Sequence, residues 1–199
     1  LKTVGTPGQS YIEIKNSKFH GFAVHAADET VAQAEIGAAK QRHPGASAHA
    51  YAYTYDDYVK FHDGGEPGGT AGLPMMEIIK KQGISNVICI VSRYYGGTHL
   101  GAGGLARAFG LACAAALGNA EIKTLKQARE YWFSVGYTLH GKIEHWLANS
   151  PFVLLDTQFS AGVDLHVLVF ATDDDGFKQQ LSEITSGSVV PVIIGEGHY

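Results

Sequence analysis

Two glycine-rich segments carry the residues that chemistry would need. In the later one Arg93, Tyr94 and Tyr95 are followed by glycines at 96, 97, 101, 103 and 104, after which a helical pattern carries Arg107. A helix N-terminus presents unpaired backbone N–H groups, and with a guanidinium nearby it suits a phosphate or carboxylate. Gly96, Gly97, Gly101, Gly103 and Gly104 fit neither the Walker A loop nor G-x-G-x-x-G, so no nucleotide fingerprint applies. The same glycines would also serve close packing of a helix on a strand. Tyr94 and Tyr95 would either stack on a base or pack at the rim of the core. The earlier segment, residues 62–74, places His62, Asp63 and Glu66 within five residues, with Gly69 and Thr70 following. Two carboxylates and an imidazole brought to one point would support acid–base work or bind a cation. Acidic residues in such turns also cap helices or bond their own backbone.

Other chemistries lack residues. The histidines contain no H-x-x-x-H pair, the serines no G-x-S-x-G elbow, and Cys89 and Cys113 no C-x-x-C spacing. No catalytic nucleophile, resident metal or cofactor is therefore expected. The chain has 199 residues, 45% of them hydrophobic and 17% charged, enough for a substantial core. Its formal charge of −4 argues against a chain-wide basic surface. Residues 1–125 carry eleven basic and ten acidic side chains, and residues 126–199 four and nine, so the first part is the better match for an anion. No apolar run reaches membrane-spanning length and the opening LKTVGTPGQS lacks a signal peptide's order, from which a cytoplasmic protein without a membrane partner is expected.

The elements that position these segments follow from periodicity. YIEIK and KFHGFAVHA alternate as strands, residues 28–43 carry a helical pattern stopped by Pro44, and HAYAYTY with YVKFH forms a hairpin turning at Asp56 and Asp57. Pro74 is placed to start a short helix and Gly83 to end it. NVICIVSR reads as a strand buried on both faces, and Leu105, Phe109, Ala112 and Ala116 line one face of the next helix. Residues 119–130 read mainly as a polar stretch. Beyond it come a strand, a helix carrying Ile143, Trp146 and Leu147, two strands, and a helix opened by a capping-box-like Thr172 and Asp175. Pro191 marks an edge strand at the end. The order β-α-β-β-α-β is ferredoxin-like. The expectation is an α+β chain of two domains, residues 1–127 and 128–199, with Asp173, Asp174 and Asp175 at a helix start.

FHDGGEPGGTAGLP and VSRYYGGTHLGAGGLARAFG closely resemble the paired signatures of the Impact/YigZ family, S-D-D-G-E-P-x-G-T-A-G-x-P and V-R-Y-Y/F-G-G-x-x-L-G-x-G-G-L-x-R-A-Y, and NSKF near the start resembles a further family element. The resemblance implies an N-terminal Impact domain with the fold of the second domain of small-subunit ribosomal protein five. It also implies a C-terminal ferredoxin-like domain similar to domain five of elongation factor G. Eukaryotic members regulate translation in the amino-acid-starvation response. The family's charged loop residues fall on Asp63 and Glu66, its turn glycines on Gly65, Gly69 and Gly72, and its arginines on Arg93 and Arg107. This sequence departs at His62 and Gly64, where the family has Ser and a second acidic residue, and keeps only His49 of a His-rich strand entry. The expectation is a non-enzymatic, translation-associated protein binding RNA or a ribosome-associated protein through its first domain, with Arg93 and Arg107 on phosphate. The alternative is an enzyme binding a small anionic ligand, phosphorylated or a nucleotide, at the two glycine-rich loops.

Overall fold

The computed structural model describes residues 1–199, which fold as two compact units, Leu1–Thr124 and Leu125–Tyr199. In the first unit β1 (Lys2–Thr6), β2 (Gly8–Ile14) and β3 (Ser17–His25) precede α1 (Glu29–Arg42). The hairpin β4 (Ala48–Tyr55) and β5 (Tyr58–His62) leads to α2 (Gly72–Gln82), and β6 (Val87–Tyr94) to α3 (Ala102–Gly118) and β7 (Glu121–Thr124). Asp28 caps α1 by accepting the Val31 N–H at 2.9 Å, and Gly83 ends α2 in the left-handed region that its lack of a side chain permits.

Five strands form an antiparallel sheet in the order β2-β3-β6-β4-β5. The apolar run of β6 is central and buried along nearly its whole length because helices cover both faces. On one face Ala32, Ile36 and Ala39 of α1 meet Tyr53, Ile88 and Ile90. On the other, α2 and α3 bring Met75, Met76, Phe109 and Cys113 against Phe19, Cys89 and Val91, with Phe19 and Phe109 edge to face at 5.2 Å. Both cysteines are free thiols in this core.

Three sequence expectations are corrected here. Residues 119–130 are not simply polar connection: β7 pairs antiparallel with β1, a strand the alternation did not signal, in a two-stranded ribbon whose β7 residues are all exposed. Exposure on both faces removes the alternation that betrays a strand. Helix α2 starts at Gly72, two residues before Pro74, which sits in the first turn where a missing N–H costs nothing. The capping box at Thr172 and Asp175 does not form. Thr172 Oγ1 donates to Asp173 Oδ2 in a 3-10 turn over Ala171–Asp173, and the following helix has no side-chain cap.

The second unit runs β8 (Gln127–Val135), α4 (Tyr137–Ala148), β9 (Val153–Phe159), β10 (Val163–Phe170), α5 (Asp174–Thr185) and β11 (Val192–His198), a β-α-β-β-α-β chain. Its antiparallel sheet is ordered β11-β8-β10-β9, with β11 at an edge just past Pro191. Phe177, Leu181, Ile143 and Leu147 seal one face. Asp174 does more than start α5. Its buried carboxylate accepts from Arg129 Nη1 at 2.6 Å, Lys178 Nζ at 2.8 Å and the Tyr131 hydroxyl. Desolvation pushes this carboxyl up, but the Lys178 and Tyr131 hydrogen bonds and the two cations outweigh it and hold it below the usual range.

A carboxyl depressed in the folded state contributes stability above its unfolded pKa and loses it as pH falls through the folded value. Both tryptophans, Trp132 and Trp146, lie in this unit, so their fluorescence reports it selectively. The urea midpoint read from tryptophan emission is expected to fall as pH drops below about 4. Asp174→Asn is expected to lower the midpoint at neutral pH and to flatten that acid dependence.

Candidate ligand-binding cleft

The two glycine segments meet. The end of β6 delivers Arg93 beneath the 62–72 loop, where Nη1 donates to both Glu66 carboxylate oxygens at 2.8 Å. Both side chains are only 7% exposed, so this pair is withdrawn from water. Ser17 Oγ accepts from Arg93 Nη2 at 3.2 Å and from the Gly96 N–H at 3.1 Å, and the Arg93 carbonyl accepts from the Ser47 N–H and Oγ at 2.7 and 3.0 Å. The guanidinium carbon lies 5.5 Å from the Phe19 ring centre and 5.3 Å from that of Tyr95. Arg93 Nε, in contrast, is buried without a hydrogen-bond partner.

Asp63 has a different task. Oδ2 accepts the Gly69 N–H and Oδ1 the Ala71 and Gly72 N–H groups, each at 2.9 Å, so the carboxylate clasps its own loop and caps α2. Desolvation raises its pKa, but the three amide donors and His62 outweigh that and leave it below the ordinary value. Thr70 Oγ1 donates to the Pro67 carbonyl at 2.6 Å, which places this candidate in the turn's own bonding. Gly69 and Gly97 take positive φ, and Gly96 packs so closely on the Asn16–Ser17 backbone that a Cβ would collide with it.

Above Arg93 lies a cleft of about 450 Å³ lined from one loop by Gly65, Glu66 and Pro67 and from the other by Tyr95, His99 and Gly101. Ala102 and Leu105 of α3 also line it. Gly101 caps α3 with no side-chain bond, so the first-turn N–H groups have no capping side chain.

The expected site is split in two respects. Tyr94 follows Arg93 on a strand, and alternation sends it to the α1 face of the sheet, beside His20 and His43. Arg107 lies two residues, about 200° of helix, past Leu105. It lines a groove between α2 and α3 with Gly103, Pro74 and Glu77 rather than the cleft. Arg93 and Arg107 therefore line different openings, and Arg93 meets its charge partner in Glu66. Gly104 lies under Leu100. Ser17, Ser47 and His99 also belong to the site, and no spacing in the sequence marks them. Ser17 stands in the NSKF element, the one available signal for it.

Residues 15–117 match the family model of the Impact N-terminal domain, and residues 133–188 that of a domain of unknown function, DUF1949. The chain is similar to IMPACT family member YvyE of Bacillus subtilis (strain 168), at 35% identity over 188 residues, 93% of this chain and 87% of the relative. It is similar to IMPACT family member YigZ of Escherichia coli (strain K12), at 31% over 189 residues, 92% and 93% of the two chains. A solved structure described as that of an hypothetical protein superposes with a TM-score of 0.74 at 29% identity, covering 98% of this chain and 97% of that one.

Removing one member of a buried pair strands the other charge, at a cost of about 3–5 kcal/mol, whereas replacing both with apolar groups is often near neutral. Glu66→Ala is therefore expected to lower the stability of the first unit by that amount. Glu66→Leu combined with Arg93→Met is expected to recover most of it, read as amide exchange protection along Val87–Tyr94.

Proposed function

The chain belongs to the IMPACT family, and from that premise we propose that it is a translation-associated binding protein whose first unit holds the phosphate backbone of RNA in the cleft between its glycine loops. The observation that carries this reading is a cleft lined both by Arg93 and by the start of α3, whose Gly101 cap supplies no side-chain bond to the first-turn N–H groups. The Arg93–Glu66 pair is neutral as a unit, so the partial positive charge of the helix N-terminus sets the sign of the cleft. A binding role rather than catalysis is supported by the state of the two carboxylates. Asp63 is held by three amides, and both Glu66 oxygens are taken by a guanidinium, so both carboxylates are engaged in bonds internal to the fold. The translational setting is what the family resemblance implies.

A second reading, a small phosphorylated ligand, is favoured by the size of the cleft, about 450 Å³, within the roughly 300–1,000 Å³ usual for small-molecule pockets.

The test titrates a labelled structured RNA with the whole chain at rising salt. Phosphate contacts predict a linear fall of log affinity with log salt. Ala102→Asp places a carboxylate on the first turn of α3, which favours the helix by about 0.3–1 kcal/mol while repelling an anion in the cleft. Its affinity is expected to drop about tenfold or more, an energy of about 1.4 kcal/mol. Unchanged affinity in that variant overturns the cleft as the RNA site. A magnesium-dependent thermal shift with nucleotides but no RNA binding decides for the small phosphorylated ligand.

A further inference from the structure

On the opposite face of the same sheet, rings with polar atoms gather where α1 ends. Strand register sets Tyr11, His20, Ser92 and His49 in one row across β2, β3, β6 and β4. Lys18 and Tyr94 are paired one row along on that face. His43, just past α1, closes the group with its ring 4.7 Å from His20 and 5.9 Å from Tyr94, its Nδ1 3.1 Å from the Tyr94 hydroxyl. Tyr94 and Tyr11 stand 5.6 and 5.0 Å from His20. The apolar residues of α1 cover Tyr53, Ile88 and Ile90 further along and leave this cluster open. The opening is about 490 Å³, lined by Asn16, Lys18, His20, His43, Tyr94 and Tyr95.

Among the residues that line the opening, the one fixed charge is the cation Lys18. Arg42 lies over the Phe22 ring at 4.3 Å with Glu35 3.8 Å away. Glu13 accepts the Tyr11 hydroxyl. Burial, helped by neighbouring cations, lowers the pKa of both His20 and His43, which keeps their rings neutral at pH 7. Neutral flat rings beside a lysine suit flat π-systems strung on a phosphate chain better than they suit an aliphatic partner. Tyr95, 45% exposed, also lines the glycine-loop cleft, so the two openings share a wall.

We propose that this ring cluster stacks the unpaired bases of a single RNA strand whose phosphates enter the cleft, an inference that rests on the RNA reading of that cleft. The test compares an oligouridylate with an abasic strand of equal length by fluorescence anisotropy, using the whole chain. The abasic strand keeps every phosphate and loses every base. The native strand is expected to bind at least about tenfold tighter, since one stacked base is worth roughly 1–3 kcal/mol. His43→Leu and Tyr94→Leu, checked for folding by circular dichroism, are expected to erase that difference and leave abasic binding unchanged. Equal binding of the two strands overturns the stacking face and leaves the cleft reading standing. A base-dependent gain that survives both variants overturns the assignment to these rings, and failure of both strands to bind overturns the two readings together.

Discussion

Arg93 and Glu66 neutralise each other under the glycine loops, and the loops take their shape from having to bury that pair. A guanidinium and a carboxylate each 7% exposed are tolerable only while every oxygen and nearly every N–H is occupied. That demand recruits Ser17 from β3 to accept from Arg93. The 62–72 loop is then drawn over the end of β6, and Asp63 fastens the same loop to the start of α2. Three elements distant in sequence thus converge on one strand end. Arg93 Nε is the one side-chain nitrogen of the pair left buried without a partner.

Glycine is what lets the backbone come close enough. At Gly64, φ is +64° and a Cβ would strike the His49 carbonyl, so the loop lies against β4 only without a side chain. Gly96 plays the equivalent part against Asn16 and Ser17. Among the eleven glycines between Gly64 and Gly104, eight take positive φ or meet backbone closely, while Gly68, Gly103 and Gly104 do neither. The approach at Gly96 also aims its N–H at Ser17 Oγ, so packing and hydrogen bonding select the same residue.

Most of the fold was legible because its strands alternate and its helices carry periodic apolar residues. β6 announces itself by the apolar run Val87–Val91, and α1 by Ala32, Ile36 and Ala39 at helical spacing. The site was legible in its residues and less so in their grouping. Adjacent residues on a strand face opposite ways, so Arg93 and Tyr94, neighbours in sequence, serve different openings. Gathering His20, His43 and His49 depends on strand pairing and on where α1 stops, neither of which spacing within any one segment reveals. Arg107 lies outside the glycine-loop cleft for the simplest reason, since the helical rotation between it and Leu105 turns it to another groove.

The β1–β7 ribbon pairs Lys2 with Thr124, so the two ends of the first unit run side by side. Paired strands sit roughly 5 Å apart. A unit whose ends are neighbours is topologically a near-closed ring, and its order of elements can be rotated by joining those ends and opening an exposed turn such as Asp56–Asp57. Such an arrangement also lets the unit be inserted into, or fused onto, another chain while disturbing its host at one point.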